Sequence, residues 1–200
     1  MPSSPKITKE MILKSALDLV KNNGYESLNI KELANRIGCS TQPISWHFKN
    51  MEGLRNSLAE YARSYANEKL ISTSNQPLQV FEETGISYIR MAKEEPNLFR
   101  FLYLNGYKGQ CAGNFNALTS DKEHRELVKN IANFFRFSIS TAEKYVQNTI
   151  IYTHGIASLI ATGVIETTIE EAMRLVNKTA DLFLLDAGIL EVNIPQHKMG

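Results

Sequence analysis

Apolar residues recur along this chain at helical spacing, and the alternation expected of strands is nearly absent. The first segment runs from about Thr8 to Asn22, with Ile12, Ala16, Leu19 and Val20 on one stripe and Gly24 just past its end. A shorter one, LNIKELANRI, starts at Asn29 as N-cap with Glu32 three residues on, and sets Ile30, Leu33, Ala34 and Ile37 on one face. Gly38 then supplies a turn that needs positive φ. In the next segment Ser40 is the expected cap, and Pro43 sits in the first turn, where a missing N–H costs little. Ile44 and Phe48, four apart, point inward and leave Thr41, Gln42, Ser45, Trp46, His47 and Lys49 facing out. Asn50 opens a long helix through Leu54, Leu58, Tyr61, Tyr65 and Leu70.

The polar, turn-rich stretch at 71–77 reads as a linker. A fifth helix is expected from about Leu78 to Glu95. Pro96 breaks it, because the residue before a proline is pushed out of the α region, and a new helix starts there. NGYKGQCAGN at 105–114 is the longest loop candidate. Three capping boxes are expected downstream: Ser120 with Glu123, Ser140 with Glu143, and Thr168 with Glu171. The helices they open carry Leu127, Ile131, Phe134 and Phe135 in the first, a run to Ala161 in the second, and Ala172, Leu175, Val176, Thr179, Leu182 and Phe183 in the third. The tail from Glu191 is expected to fray. The fold class is therefore all-α, with about nine helices.

Residues 28–50, LNIKELANRI followed by GCSTQPISWHFKN, carry a helix-turn-helix pattern, the motif that sets one exposed helix into a DNA major groove. With the apolar first helix, the approach NGYESLN, ELA followed by IG, and HFKN followed by Leu54, residues 7–54 resemble the DNA-binding region of the tetracycline-repressor (TetR) family of bacterial transcription regulators. Any one of these pieces is weak; their order and spacing together are specific. The resemblance implies a DNA-binding domain over 1–50, a linking helix over 50–70, and a ligand-binding and dimerisation domain over 71–200. It also implies a ligand-responsive repressor, bound as a homodimer to a palindromic double-stranded operator and released by a small-molecule effector. The DNA-contacting set expected here is Asn29, Ser40, Thr41, Gln42, Pro43, Ser45, Trp46, His47 and Lys49. Thr41 and Gln42 are the best placed for base edges, and glutamine can pair bidentately with adenine. Ser45 and Met51 stand where the family usually has tyrosine and lysine, which keeps a second reading open: a small-molecule-binding helical protein with weak or lost DNA binding.

YTHGIASLIATGVI at 152–165 resembles a His-Gly signature found in part of the same family, with Thr153 at its usually aromatic or small position. Small residues on an Ile- and Leu-rich helix let another helix approach closely, and a glycine inside a helix, costing ~1 kcal/mol against alanine, calls for a packing reason. The expected dimer surface is Gly155, Ser158, Leu159, Leu175, Thr179, Leu182 and Phe183, half of an intermolecular four-helix bundle. The middle of the chain is aromatic-rich. The resemblance implies a small-molecule pocket there, assigned to Phe99, Tyr103, Tyr107, Phe115, Phe134, Tyr145 and Tyr152. His154 is a ligand partner or a satisfied interface histidine, the latter favoured.

Composition adds little. The apolar fraction is 43%, the charged fraction 22% and the net charge only +1, so overall charge does not announce a nucleic-acid partner. Residues 1–60 carry eight Lys/Arg against six Asp/Glu, and Lys6, Lys9, Lys31, Lys49 and Arg55 are the expected phosphate contacts. No run approaches the ~20 apolar residues of a membrane span, and the N-terminus lacks a signal-like apolar core. The expectation is a cytoplasmic protein with no membrane partner. Cys39 and Cys111 have no metal or redox spacing, and Cys39 is expected to pack at the helix-turn-helix bend. The four histidines stand far apart, and no phosphate loop, nucleophile elbow or zinc helix occurs. Enzymatic activity, a cofactor and a metal are accordingly not expected.

Overall fold

The computed structural model describes residues 7–70, 74, 76–104 and 115–189. Among them are nine α-helices and no strand: α1 (Lys9–Asn23), α2 (Ile30–Ile37), α3 (Thr41–Phe48), α4 (Met51–Lys69), α5 (Pro77–Glu94), α6 (Pro96–Phe99), α7 (Lys122–Phe135), α8 (Ile139–Ala161) and α9 (Ile169–Asp186). They fall into two compact units. One holds the described residues up to Lys69 together with Glu95 to Leu104; the other holds those from Leu70 to Glu94 and from Phe115 onward. The sequence reading placed 95–104 with the second domain, whereas these residues pack in the first unit.

In the first unit, α1 starts where the Thr8 hydroxyl accepts the Met11 N–H at 3.2 Å. It ends at Gly24, whose φ of 83° strains any residue bearing a Cβ. Its apolar stripe meets α2, α4 and α6. Ile12, Leu33, Ile44, Leu54 and Leu58 are fully buried, each contributing ~2 kcal/mol of apolar burial. Tyr25, in the short 3₁₀ turn Tyr25–Ser27, stacks on Phe101 of a π-helical stretch that continues α6. Glu95 lies among Lys21, Lys69 and Tyr65: Lys21 pairs with it at 3.2 Å, Lys69 is also ion-paired to it, and the Tyr65 hydroxyl donates to it at 3.3 Å.

In the second unit, α8 packs against α5, α7 and α9. Val128, Ile131, Ala142, Tyr145, Val146, Ala180 and Leu184 form its core. The Thr168–Glu171 capping box forms in full, the hydroxyl accepting the Glu171 N–H and the carboxylate accepting the Thr168 N–H. The other two boxes do not form. Asp121, one residue beyond Ser120, caps α7 instead, because its carboxylate accepts both the His124 N–H at 2.9 Å and the His124 ring nitrogen at 2.5 Å. Ser138 rather than Ser140 caps α8, accepting from Thr141. Glu143 instead accepts the Thr119 hydroxyl at 2.9 Å. Helix α7 stops at Arg136, held at φ 58°, where the Phe137 N–H reaches back to the Ala132 carbonyl.

Candidate nucleic-acid interface

The two helices of the motif are joined as the sequence requires. The Asn29 carboxamide oxygen accepts the Glu32 N–H at 2.8 Å and starts α2. Gly38 ends it in the left-handed region, φ 76° and ψ 35°, and the Cys39 N–H returns to the Ala34 carbonyl at 3.0 Å. A Cβ at Gly38 would touch nothing, so backbone conformation rather than crowding is what demands glycine there. Cys39 itself is half-buried.

Ser40 occupies the N-cap of α3, but its side chain makes no cap bond. A capping hydroxyl accepts from the second or third helical N–H, and the third helical residue here is Pro43, which has none. Ser40 therefore holds the cap position without the expected capping bond, and it remains exposed. Ile44 and Phe48 pin α3 to the core. Thr41, Gln42, Ser45 and Trp46 then share the outward face, and Trp46 is 73% exposed. Pro43 is half-buried beside them.

His47 departs from the expected outward orientation. It is half-buried, with Nε2 at 3.1 Å from the Ile7 carbonyl and its ring edge-on to Trp46 at 4.7 Å between centroids. The chain just before α1 therefore supports α3, which helical periodicity within α3 gives no means of seeing. Among the expected phosphate contacts, Lys9, Lys31 and Lys49 are exposed. Arg55 is half-buried, its guanidinium 5.4 Å from the centre of the Tyr25 ring, and Lys6 lies outside the described residues.

The turn from α3 into α4 is unusually tight. Lys49 has φ 66° and ψ −52°; its N–H donates to the Ser45 carbonyl at 2.8 Å, and the Asn50 N–H donates to the Phe48 carbonyl at 2.8 Å. This is the strained form of the γ-turn. The Asn50 side chain accepts the Gly53 N–H at 2.9 Å and caps α4, as expected. A Cβ at Gly53 would collide with the Phe48 carbonyl oxygen. Gly53 went unremarked at the level of sequence, although a glycine in the first turn of a helix is the signal that could have found it.

The described members of the aromatic set expected around a pocket are divided between the two units. Phe99 and Tyr103 lie in the first unit with ring centres 5.0 Å apart, and burial pushes the Tyr103 hydroxyl pKa up. Tyr145 belongs to the core of the second unit, against Phe81 and Phe135, and burial likewise raises its pKa. Tyr152 is half-buried, Phe115 and Phe134 are 70% and 53% exposed, and Tyr107 lies outside the described residues. The break at Pro96 explains part of this: it sends Phe99 and Tyr103 into a different unit from α5.

Within the second unit, a hollow of about 240 Å³ is lined by Thr141, Lys144, Tyr145, Asn148, Phe183, Asp186 and Ala187. The Tyr88 hydroxyl lies 2.8 Å from His154 Nδ1, and burial lowers the His154 pKa. In the expected dimer surface, Gly155, Leu159, Leu175 and Leu182 are exposed, the last two by 52% and 55%. Ser158, Thr179 and Phe183 are half-buried, and the Ser158 hydroxyl donates to the His154 carbonyl. No helix among the described residues is long and apolar enough to cross a membrane.

Residues 12–58 match the family model described as bacterial regulatory proteins, tetR family. The tetracycline repressor protein class C of Escherichia coli is 38% identical over 55 residues, which are 28% of this chain and 25% of that repressor. The chain thus spans a quarter of the length of that curated relative. Among solved structures, a protein of unknown function from Rhodococcus sp. RHA1 matches with a TM-score of 0.67 at 19% identity, covering 94% of this chain and 100% of that one. A TetR variant from Acinetobacter baumannii AYE, in complex with minocycline, matches with a TM-score of 0.59 at 17% identity, over 90% and 96% of the two chains. These likenesses share the all-α fold. The helix-turn-helix of the first unit lies within the matched residues, and over that segment the chain is similar to the tetR family of bacterial regulatory proteins.

Proposed function

We propose that the protein is a homodimeric, ligand-responsive transcriptional repressor that binds a palindromic operator through α3 and is released by a small-molecule effector. The observation that carries this reading is the outward face of α3. Ile44 and Phe48 suffice to anchor the helix, yet Thr41, Gln42, Ser45 and Trp46 present hydrogen-bonding and aromatic groups to solvent. Such a face does nothing for the stability of its own helix and suits base edges and thymine methyl groups. Asn29 and Ser40 stand at the starts of α2 and α3, where backbone N–H groups meet phosphates, and Lys9, Lys31 and Lys49 supply charge around them.

Dimerisation is supported by α8 and α9. Ile151, Gly155 and Leu159 follow one another at four-residue spacing on α8, and Leu175 and Leu182 stand two turns apart on α9, all exposed. A dimer through this face would present two recognition helices to two half-sites, as the palindrome requires. The effector site is assigned to residues 71–200. Buried polar residues on α8 support it: Gln147 bonds the Thr119 hydroxyl, Thr149 and Thr153 bond carbonyls of their own helix, and His154 meets the Tyr88 hydroxyl, a polar content unusual for a plain helical core. The effector must bind the DNA-incompetent state more tightly, and a coupling of ~2 kcal/mol would loosen operator binding roughly thirtyfold.

The test is a selection from random duplexes, run beside a Gln42→Ala, Trp46→Ala variant. Enrichment of a palindrome by the natural chain, lost in the variant, supports the reading. No enriched sequence at low salt overturns it, and would favour a ligand-binding protein that has lost DNA recognition.

A further inference from the structure

We propose that a hollow in the first unit, between the end of α1 and α6, binds a small zwitterion of the α-amino-acid class. The inference goes beyond the DNA-binding reading and does not depend on it. The hollow holds about 350 Å³ and is lined by Gly24, Tyr25, Glu26, Asn97 and Arg100, all of which belong to the first unit. Ligand pockets run from ~300 to ~1,000 Å³, so this one suits a molecule of amino-acid size rather than a larger effector. Its charged side chains are of opposite sign, and Glu26 is in no ion pair among the described residues.

Arg100 is fixed by a relay of polar contacts. Its guanidinium donates to the Asn97 side-chain oxygen, and the Asn97 amide donates in turn to the Lys21 carbonyl at 2.9 Å, in the last turn of α1. That second bond satisfies a helix-end carbonyl that has no partner within its own helix. The guanidinium therefore stands at the hollow already oriented, and a ligand that meets it costs little further ordering. A carboxylate is the group a guanidinium meets best. Arg100 also opens the π-helical stretch Arg100–Leu104, and such wide turns gather at functional sites. Gly24 is the C-cap of α1, so the negative end of that helix dipole lies at the same wall as the Glu26 carboxylate, and both favour a cation. A singly charged molecule would answer one side of the hollow and leave the other unmatched. An ammonium and a carboxylate on one short skeleton answer both. Tyr25 gives the hollow a fixed wall, stacked on Phe101 at 5.2 Å between ring centres and with the Arg55 guanidinium 5.4 Å from its own. A competing role is purely structural: Arg100 and Asn97 would close the end of α1, and Glu26 would be a solvated surface carboxylate.

The experiment screens the full chain by saturation-transfer NMR against the common free amino acids, each alone, with acetate and methylammonium as singly charged controls. At least one amino acid receives saturation, more strongly than either control. Its affinity, read by calorimetric titration, falls roughly tenfold or more in Arg100→Gln and in Glu26→Gln, the loss of one charge-assisted contact in each. Arg100→Gln also gives up the tie to Asn97 and lowers the urea midpoint. Glu26 is exposed, so Glu26→Gln keeps the midpoint of the natural chain, and its loss of binding is not a loss of fold. Absence of transfer to every amino acid overturns the proposal and leaves the groups of the hollow a structural role. Acetate binding as tightly as the amino acid overturns it too, and would make the hollow an anion site. An affinity unchanged by Glu26→Gln overturns the assignment of the ammonium, and one unchanged by both variants would place the amino acid elsewhere on the chain. None of these outcomes touches DNA binding, which the duplex selection tests separately.

Discussion

Lys21 of α1 and Glu95, at the start of α6, are ion-paired at 3.2 Å inside the first unit, with Lys69 completing the grip on the same carboxylate. Burial alone would push the Glu95 pKa up. Hydrogen bonds from Lys69 and Lys21 outweigh it, and the net effect holds the carboxyl below its ordinary value of 4.5. The lysines respond in the opposite sense: burial opposes their charge, but the hydrogen bonds to Tyr65 and Glu95 raise both above 10.5.

The first prediction follows from that pairing. Glu95→Gln leaves two lysines facing a neutral amide and lowers the stability of the first unit by about 1–2 kcal/mol at pH 7, a figure tempered by the exposure of Lys69. A carboxylate whose folded pKa is depressed contributes stability above its unfolded pKa and loses it as pH falls through the folded value. The gap between the natural chain and the variant in urea unfolding is therefore full above the ordinary carboxylate value of 4.5 and closes as pH falls through the lower folded-state value. A gap that persists unchanged at pH 3 would show that charge is not what Glu95 contributes.

Two glycines predict opposite outcomes. Gly53→Ala drives a methyl group into the Phe48 carbonyl and destabilises the first unit by about 1–3 kcal/mol, with the backbone unable to yield cheaply. Gly155→Ala meets nothing within 4 Å and removes the entropy cost of glycine in the middle of α8, so it stabilises the isolated chain by about 0.5–1 kcal/mol. If a second copy packs closely over Gly155, the same substitution weakens dimerisation, measured by sedimentation equilibrium. Unchanged association would place the dimer contact elsewhere.

Much of the helix-turn-helix was legible in the sequence because its signals are local. Asn29, Gly38, Asn50 and Thr168 each act within a few residues of themselves, and each is found in the expected role. Local signals failed where a neighbour competed. Asp121 displaced Ser120 because a carboxylate can bind the His124 backbone and ring together, and Pro43 removed the N–H that Ser40 would have held. The support of His47 by Ile7 and the pairing of Glu95 with Lys21 were invisible because the partners are far apart in the chain. The division of the aromatic set between two units was hidden for a related reason: helical spacing distinguishes faces of one helix, but not which unit the helix joins.

His154 gives a prediction in the acid range. Burial lowers its pKa below 6.5, so the folded protein resists a proton that the unfolded chain accepts. The sign follows: stability is full above about pH 6.5 and declines as pH falls below it, until the folded-state pKa is also passed. His154→Gln removes this dependence and keeps a hydrogen-bonding partner for the Tyr88 hydroxyl. Urea midpoints at pH 7 and pH 5 should differ more in the natural chain than in the variant. Equal differences would mean that His154 binds protons alike in the folded and unfolded states.

The exposed leucines of α9 give the sharpest test of assembly. Leu175 and Leu182 lie on one face, two helical turns apart, with neither side chain needed for the core of its own unit. Leu182→Glu should leave helix content unchanged, because the residue is solvated in the single chain. In a four-helix interface the same change buries an unpaired carboxylate, at a cost of several kcal/mol per copy and therefore doubled by two-fold symmetry. The variant should sediment as a monomer at micromolar concentration. Its affinity for a two-half-site duplex should fall steeply, while its weak binding to a single half-site stays unchanged, because α3 is untouched. A Leu182→Glu protein that remained dimeric would sink the proposed α8–α9 interface. A monomer that kept full affinity for the paired site would separate dimerisation from operator recognition.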